Sequence, residues 1–172
     1  RYPDPYQKLL KAKLGEFKKV DPTSIFIGNG SDEIIDLAYR IFCNPGVDKA
    51  LTFSPTYGMY DVSANINDVT LLKVPLTPSF QIELSTVKPF LTDPKLKLIF
   101  ICSPNNPTGN TINADAIKYI LDNFKGIVIL DEAYIDFSND PSWLTQLDEN
   151  PNLILLQTFS KAWGLANSRV GI

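Results

Sequence analysis

The sequence predicts a three-layer α/β/α domain built on a mostly parallel central sheet, and three observations predict it. Five short runs, Ala50 to Phe53, Val69 to Val74, Leu96 to Cys102, Ile127 to Leu130 and Leu153 to Leu156, are largely apolar at consecutive positions, as strands covered on both faces are. Helical or loop patterns separate them, the alternation expected of parallel strands joined by crossovers. The chain has 172 residues, enough for one sizeable core, and no repeat, linker or low-complexity stretch divides it.

The elements follow in order. Leu9, Leu10, Leu14 and Phe17 recur at helical spacing, so a helix is expected from about Tyr6 to Val20, ended by Asp21-Pro22. Lys8, Lys11, Lys13, Lys18 and Lys19 form its wet face. Ile25 to Ile27 reads as a short strand leading into the turn Gly28-Asn29-Gly30-Ser31. Ile34, Leu37, Ala38 and Ile41 then line one face of a helix that Asn44-Pro45-Gly46 breaks. Pro75 to Pro78 is a surface connection, and further helices are expected near Asn113 to Phe124 and Pro141 to Leu147. Arg169-Val170-Gly171-Ile172 reads as the opening of another strand, and the chain is expected to be part of a longer protein.

Composition narrows the chemistry. With 44% hydrophobic and 20% charged residues the chain is too apolar for disorder, and it has no unbroken apolar run long enough to cross a bilayer. Sixteen basic against nineteen acidic residues, without a clustered basic patch, argue against a nucleic-acid partner. The sequence contains no histidine, which removes Ser-His-Asp triads, Cys-His nucleophiles and His-ligated metals. Cys43 and Cys102 read as small buried hydrophobes, so a reducing, cytoplasmic home is expected.

Ligands of open α/β sheets bind beyond the carboxyl ends of the strands, so polar residues just after the apolar runs come first. Leu98 to Cys102 runs into Ser103-Pro104-Asn105-Asn106-Pro107-Thr108-Gly109; Ile127 to Leu130 into Asp131-Glu132-Ala133-Tyr134; Leu153 to Gln157 into Thr158-Phe159-Ser160-Lys161. Singly, each reads as a turn, a cap or a solvated lysine. Jointly, they set an amide, an acid, a phenol and an amine at one sheet edge.

An amine nucleophile working without histidine suits a carbonyl cofactor that forms a Schiff base, of which pyridoxal 5'-phosphate is the commonest. Asp131, closing an apolar strand, suits the cofactor's ring nitrogen, and Asn106 with Tyr134 suit its ring hydroxyl. Its phosphate would find backbone amides from Gly30 to Asp32, the hydroxyls of Thr158 and Ser160, and the cation of Arg169. The turn at Gly28 lacks the Lys-Ser/Thr of a phosphate loop and the third glycine of a dinucleotide fingerprint.

These residues carry a resemblance. The string from Thr158 to Gly171, with arginine eight positions after Lys161, resembles the Schiff-base lysine segment of the fold-type I aminotransferases. Asn-Asn-Pro-Thr-Gly and Asp-Glu-Ala-Tyr are that superfamily's other marks, and they come in its order. Within it, Arg1-Tyr2-Pro3-Asp4-Pro5 and Ser54-Pro55-Thr56-Tyr57-Gly58-Met59-Tyr60 resemble the histidinol-phosphate aminotransferase branch. Two departures stand out: Asn167-Ser168 where glycine and an aliphatic residue are usual, and Ser31 where alanine is common. Asparagine can adopt the left-handed backbone that glycine would, so neither departure is expected to abolish cofactor binding.

The resemblance implies roles. Lys161 forms the Schiff base and shuttles the proton, Asp131 partners the ring nitrogen, Asn106 and Tyr134 the ring oxygen, and Tyr57 stacks on the ring. Lys161, Asp131 and Tyr134 are thus the expected catalytic residues. The amides of Ser31 and Asp32, with Thr158, Ser160 and Arg169, hold the phosphate, and Tyr2 reaches the phosphate of a neighbouring subunit, implying a homodimer with shared active sites. Residues 1–172 would be an incomplete large, cofactor-binding domain. The implied reaction moves an amino group between L-histidinol phosphate, an amino-phosphate substrate, and the 2-oxo acid 2-oxoglutarate, in histidine biosynthesis. Other readings keep the same fold: an aromatic aminotransferase, a phosphothreonine decarboxylase, or a non-enzymatic ligand-sensing domain of a regulator.

Overall fold

The computed structural model describes residues 2–172, so Arg1, the first residue of the Arg1-to-Pro5 string, lies outside them. Helix α1 spans Lys8–Lys18, strand β1 Gly28–Asn29, α2 Ser31–Phe42, β2 Lys49–Ser54, α3 Met59–Ile66 and β3 Thr70–Pro75. They are followed by α4 Leu84–Val87, β4 Leu96–Cys102, α5 Ala114–Asn123, β5 Ile127–Asp131, β6 Leu153–Leu156 and β7 Val170–Gly171. Five strands form one parallel sheet in the order β3-β2-β4-β5-β6, while β1 and β7 make a separate antiparallel pair.

Alternation along β4 explains the three layers. Leu98, Phe100 and Cys102 point to one face, where they meet Ile35, Ala38 and Tyr39 of α2 and Tyr60 and Ala64 of α3. Ile99 and Ile101 point to the other, against Ile117, Ile120 and Leu121 of α5. Burying each such side chain contributes about 1.5–3 kcal/mol, so β4, covered on both faces, is the strand on which the fold most depends. Local signals agree: Asp32 and Glu33 in the first turn of α2 and Arg40 in its last complement the helix dipole. Asn113 caps α5 by accepting a hydrogen bond from the Asp115 amide at 2.8 Å.

The five apolar strands expected to build the sheet appear within a residue or so of their predicted limits, and both cysteines are buried and free. Three expectations need correction. Ile25 to Ile27 do not pair; the strand is the next two residues, Gly28–Asn29. Pro141 to Leu147 holds only a 3-10 turn, Trp143–Gln146, because Ser142 caps Leu144 and the chain then enters another turn. The apolar stripe of α1 is mostly in solvent, only Leu14 being buried, although Phe17 meets the Trp163 ring edge-on at 5.4 Å. Asn167 sits in a 3-10 turn, Ala166–Ser168, and the left-handed residues of this segment are Gly164 (φ 64) and Arg169 (φ 50). Among the described residues, no helix is long and apolar enough to cross a membrane.

Candidate active site

Strand register builds the site. Cys102 pairs with Asp131, and Asp131 with Leu156, so β4, β5 and β6 end level and their following segments leave the sheet at one edge. There Asn106, Asp131, Tyr134, Thr158, Ser160 and Lys161 line a single cleft, joined by Tyr57 from beyond β2 and by Ser31, Asp32 and Arg169. The structure therefore brings together every site residue expected from the sequence except Tyr2, which is 99% exposed and touches none of them.

The floor of the cleft is Asp131, 2% exposed at the end of β5. Its Oδ1 accepts the Ala133 N–H at 3.0 Å and its Oδ2 accepts the Tyr60 O–H at 2.7 Å. Burial pushes this carboxyl up to about 6, against the pull of those two donors. Among the described residues no lysine or arginine forms an ion pair with it. A buried carboxylate without a cation is a seat for a cationic or N–H donor group.

At one end of the cleft is an anion seat. Gly30 (φ 81) precedes α2, whose first amides no side chain caps. The Arg169 guanidinium lies so close over Gly30 that a Cβ there would collide with it. Gly171 is pressed as tightly on the other side: its Cβ would stand 2.5 Å from Gly30 C and from Ser31 N. Thr158 Oγ1 and Ser160 Oγ are 3.1 Å apart, and the Ser160 amide donates to Thr158 Oγ1 at 3.2 Å. Uncapped amides, hydroxyls and a guanidinium around one helix start are what a phosphate-like anion requires. Asp32 tempers the seat: its Oδ2 is 3.9 Å from Arg169 Nη2 and its Oδ1 accepts the Tyr57 O–H at 2.9 Å.

Lys161 stands at the mouth, exposed, with Nζ 5.5 Å from the centre of the Tyr134 ring. The two asparagines of the Asn-Asn-Pro-Thr-Gly loop divide their labour. Asn105 is buried and holds the loop, its Nδ2 donating to Pro55 O at 3.0 Å and Thr108 Oγ1 at 2.7 Å, its Oδ1 accepting from Thr56 at 2.8 Å. Asn106 is left to face the cleft. An anion seat, a buried carboxylate, an amide and a phenol, and an amine within one cleft can hold a flat molecule with an anionic tail, a basic ring nitrogen and an electrophilic carbonyl.

Sequence reasoning missed Tyr60, which supplies a donor to Asp131, and Cys102, which lines the cleft with its thiol pushed up to about 12 by burial. A signal for Tyr60 existed. Tyr57 and Tyr60 are three apart across the start of α3, a spacing that puts two side chains on neighbouring sites. By contrast, the groove at Phe26, Leu37, Ile41 and Ile154 is lined by apolar side chains alone and offers no chemistry.

Comparison with known proteins accords with this architecture. A histidinol-phosphate aminotransferase of Bacteroides fragilis is 54% identical over 172 residues, covering 100% of this chain and 50% of that protein. The crystal structure of the histidinol-phosphate aminotransferase from Clostridium acetobutylicum superposes with a TM-score of 0.86 at 28% identity, over 99% of this chain and 50% of that one. That from Sinorhizobium meliloti, solved in complex with pyridoxal-5'-phosphate, gives 0.87 at 25% identity over 99% and 47%. The chain spans about half the length of the curated relatives it matches. The family model "Aminotransferase class I and II" matches residues 1–172, and the chain belongs to that family.

Proposed function

We propose that the cleft binds pyridoxal 5'-phosphate and that the complete enzyme transfers an amino group between L-histidinol phosphate and 2-oxoglutarate, a step of histidine biosynthesis. The observation that carries this reading is the meeting of Lys161, Asp131 and the anion seat at Gly30 and Arg169 in one cleft. The relatives about half identical to the chain bear the same activity in their names, which supports the substrate assignment.

The residues fit the cofactor on this chain's own geometry. The uncapped start of α2, Thr158, Ser160 and Arg169 would hold its phosphate, Asp131 its ring nitrogen, Asn106 and Tyr134 its ring oxygen, and Tyr57 its ring face. When bound, the cofactor supplies an aldehyde for amines and a ring that takes up the electron pair left on a deprotonated carbon. Asp131, kept out of water, holds the proton on the ring nitrogen that makes that uptake effective. Lys161, on its short exposed loop, is both the amine that anchors the cofactor and the base that moves the substrate's α-proton once freed. Tyr134, beneath the Lys161 ammonium, orients that amine.

Residues 1–172 make up an incomplete cofactor-binding large domain on this reading, and Tyr2, fully in solvent here, is free to reach the phosphate seat of a second subunit in a homodimer. Free, buried Cys43 and Cys102 suit a reducing cytoplasm. Borohydride reduction of the full-length enzyme followed by peptide mapping tests the centre of the proposal: the label is expected on Lys161, and a labelled peptide without it refutes the assignment. Assays with histidinol phosphate, an aromatic amino acid and phosphothreonine separate the proposed substrate from those of the related enzymes.

A further inference from the structure

We infer that Tyr60 is a positioning residue of the site: its hydroxyl, donated to Asp131 Oδ2 at 2.7 Å, fixes the orientation of the carboxylate at the cleft floor. The inference rests on the reading that Asp131 meets the ring nitrogen of pyridoxal phosphate.

Packing does not account for this hydroxyl. Tyr60 is fully buried, its ring stacked on Phe100 at 4.9 Å and 20° and met edge-on by Tyr57 at 5.7 Å and 87°. A phenylalanine would fill that space and avoid burying a polar oxygen. What the oxygen adds is a bond to Asp131 across 71 residues of sequence. The carboxylate's other donor, the Ala133 amide, comes from its own chain two residues on, and one local donor leaves the plane free to swivel about it. The second donor, from a different element, removes that freedom. Tyr60 is itself held, because Tyr39 Oη donates to the Tyr60 carbonyl at 2.9 Å.

The direction of the bond is settled as well. Burial, with the Asp131 charge next to it, lifts the Tyr60 phenol far above its ordinary range, so it remains a donor at every working pH. A donor favours the charged carboxylate, and the Tyr60 hydroxyl and the Ala133 amide both pull the Asp131 carboxyl down against its burial. Tyr60 thereby supports the one form of Asp131 that can hold a protonated ring nitrogen.

The test compares the binding of pyridoxal phosphate with that of its 1-deaza analogue, whose ring carries carbon in place of the nitrogen, to the full-length cofactor-free enzyme. Wild type is expected to prefer pyridoxal phosphate, and Asp131→Asn to abolish the preference; if it does not, the reading of Asp131 falls and this inference with it. Tyr60→Phe should cut the preference about tenfold, the loss of one hydrogen bond to a charged group, while the deaza analogue binds within about twofold of wild type. Equal weakening of both ligands, or an undiminished preference, would overturn the inference. Replacing Tyr60 by 3-fluorotyrosine, a stronger donor of nearly the same shape, covers the case of a Phe variant that does not fold. The preference should then equal or exceed that of wild type, and a fall would refute the role.

Discussion

Asp131 is expected to weaken the cofactor-free fold that it serves. Its carboxyl is raised by burial from an ordinary 3.8 to about 6, so between those values the folded chain binds more protons than the unfolded chain. Stability therefore falls as pH rises through that window: the contribution is fully present below about 4 and lost above about 6. At about 1.4 kcal/mol per tenfold in the protonation equilibrium, keeping Asp131 ionised costs the cofactor-free fold up to about 3 kcal/mol at neutral pH. Asp131→Asn is close to isosteric, can still accept the Ala133 N–H, and can reverse the bond to Tyr60 by donating its amide. Urea unfolding of the cofactor-free enzyme should find the variant more stable at pH 7 by about 1–3 kcal/mol, with the gap closing near pH 4. Other carboxyls titrate in the same range but are common to both proteins, so the difference isolates residue 131. Pyridoxal phosphate should reverse the order, because a cationic ring nitrogen beside the carboxylate favours its charged form, and the variant should lose most transamination while still binding cofactor. A variant equally or less stable at pH 7, with a gap that does not change with pH, would refute the reasoning.

Gly171→Ala should weaken pyridoxal phosphate binding at least about tenfold, measured by titration, because its Cβ would stand 2.5 Å from Ser31 N and must drive the amide away. A loss of about 1–3 kcal/mol in stability should accompany it. Arg169→Gly should relieve the left-handed backbone at φ 50 and stabilise the fold by up to about 1 kcal/mol, yet bind pyridoxal phosphate more weakly and leave phosphate-free pyridoxal unaffected. Glu132→Ala should cost about 2–4 kcal/mol in urea unfolding. Glu132 is buried and accepts Ser142 Oγ at 2.6 Å, the Trp143 amide at 2.9 Å and Gln157 Nε2 at 2.8 Å; the first two would lose their acceptor, and Gln157 would keep only its 3.2 Å bond to Ser142 Oγ.

The parts of the fold written plainly in the sequence are those where burial leaves a pattern. A strand covered on both faces needs an apolar residue at nearly every position, and Leu96–Cys102 has one at all but Lys97. Gly28–Asn29 has no such pattern. It pairs with Val170–Gly171 through backbone alone, so the apolar Ile25 to Ile27 beside it attracted the strand assignment. The stripe on α1 misled for the opposite reason, since periodicity records what a helix can bury and not what lies against it. The site was legible because its residues sit where parallel strands stop, and an apolar run ending in Asp, Asn or Lys marks that place. Tyr60 was legible only through its three-residue spacing from Tyr57, because a buried aromatic packed on Phe100 otherwise reads as core.

The loop that carries Lys161 shows how the departures from the family pattern are absorbed. Gln157 and Ile172 exchange hydrogen bonds at 2.7 and 2.9 Å, and the Phe159 amide donates to Val170 O at 3.1 Å, so the segment between is clasped at its base. Within it the Gly164 amide donates to Lys161 O at 3.0 Å and the Leu165 amide to Phe159 O at 3.0 Å, turning the chain back with the left-handed conformation on Gly164. Asn167 is then spared a left-handed backbone, and the second such residue is Arg169, where the conformation costs about 1 kcal/mol and aims the guanidinium at Gly30. Because Gly171 follows and admits contact with Ser31 N, the same short segment fixes both the cation and the amides of the anion seat. Lys161 and the anion seat are thus set by one clasped loop, so a change at Gly171 should be felt at the anion seat before it is felt at the amine.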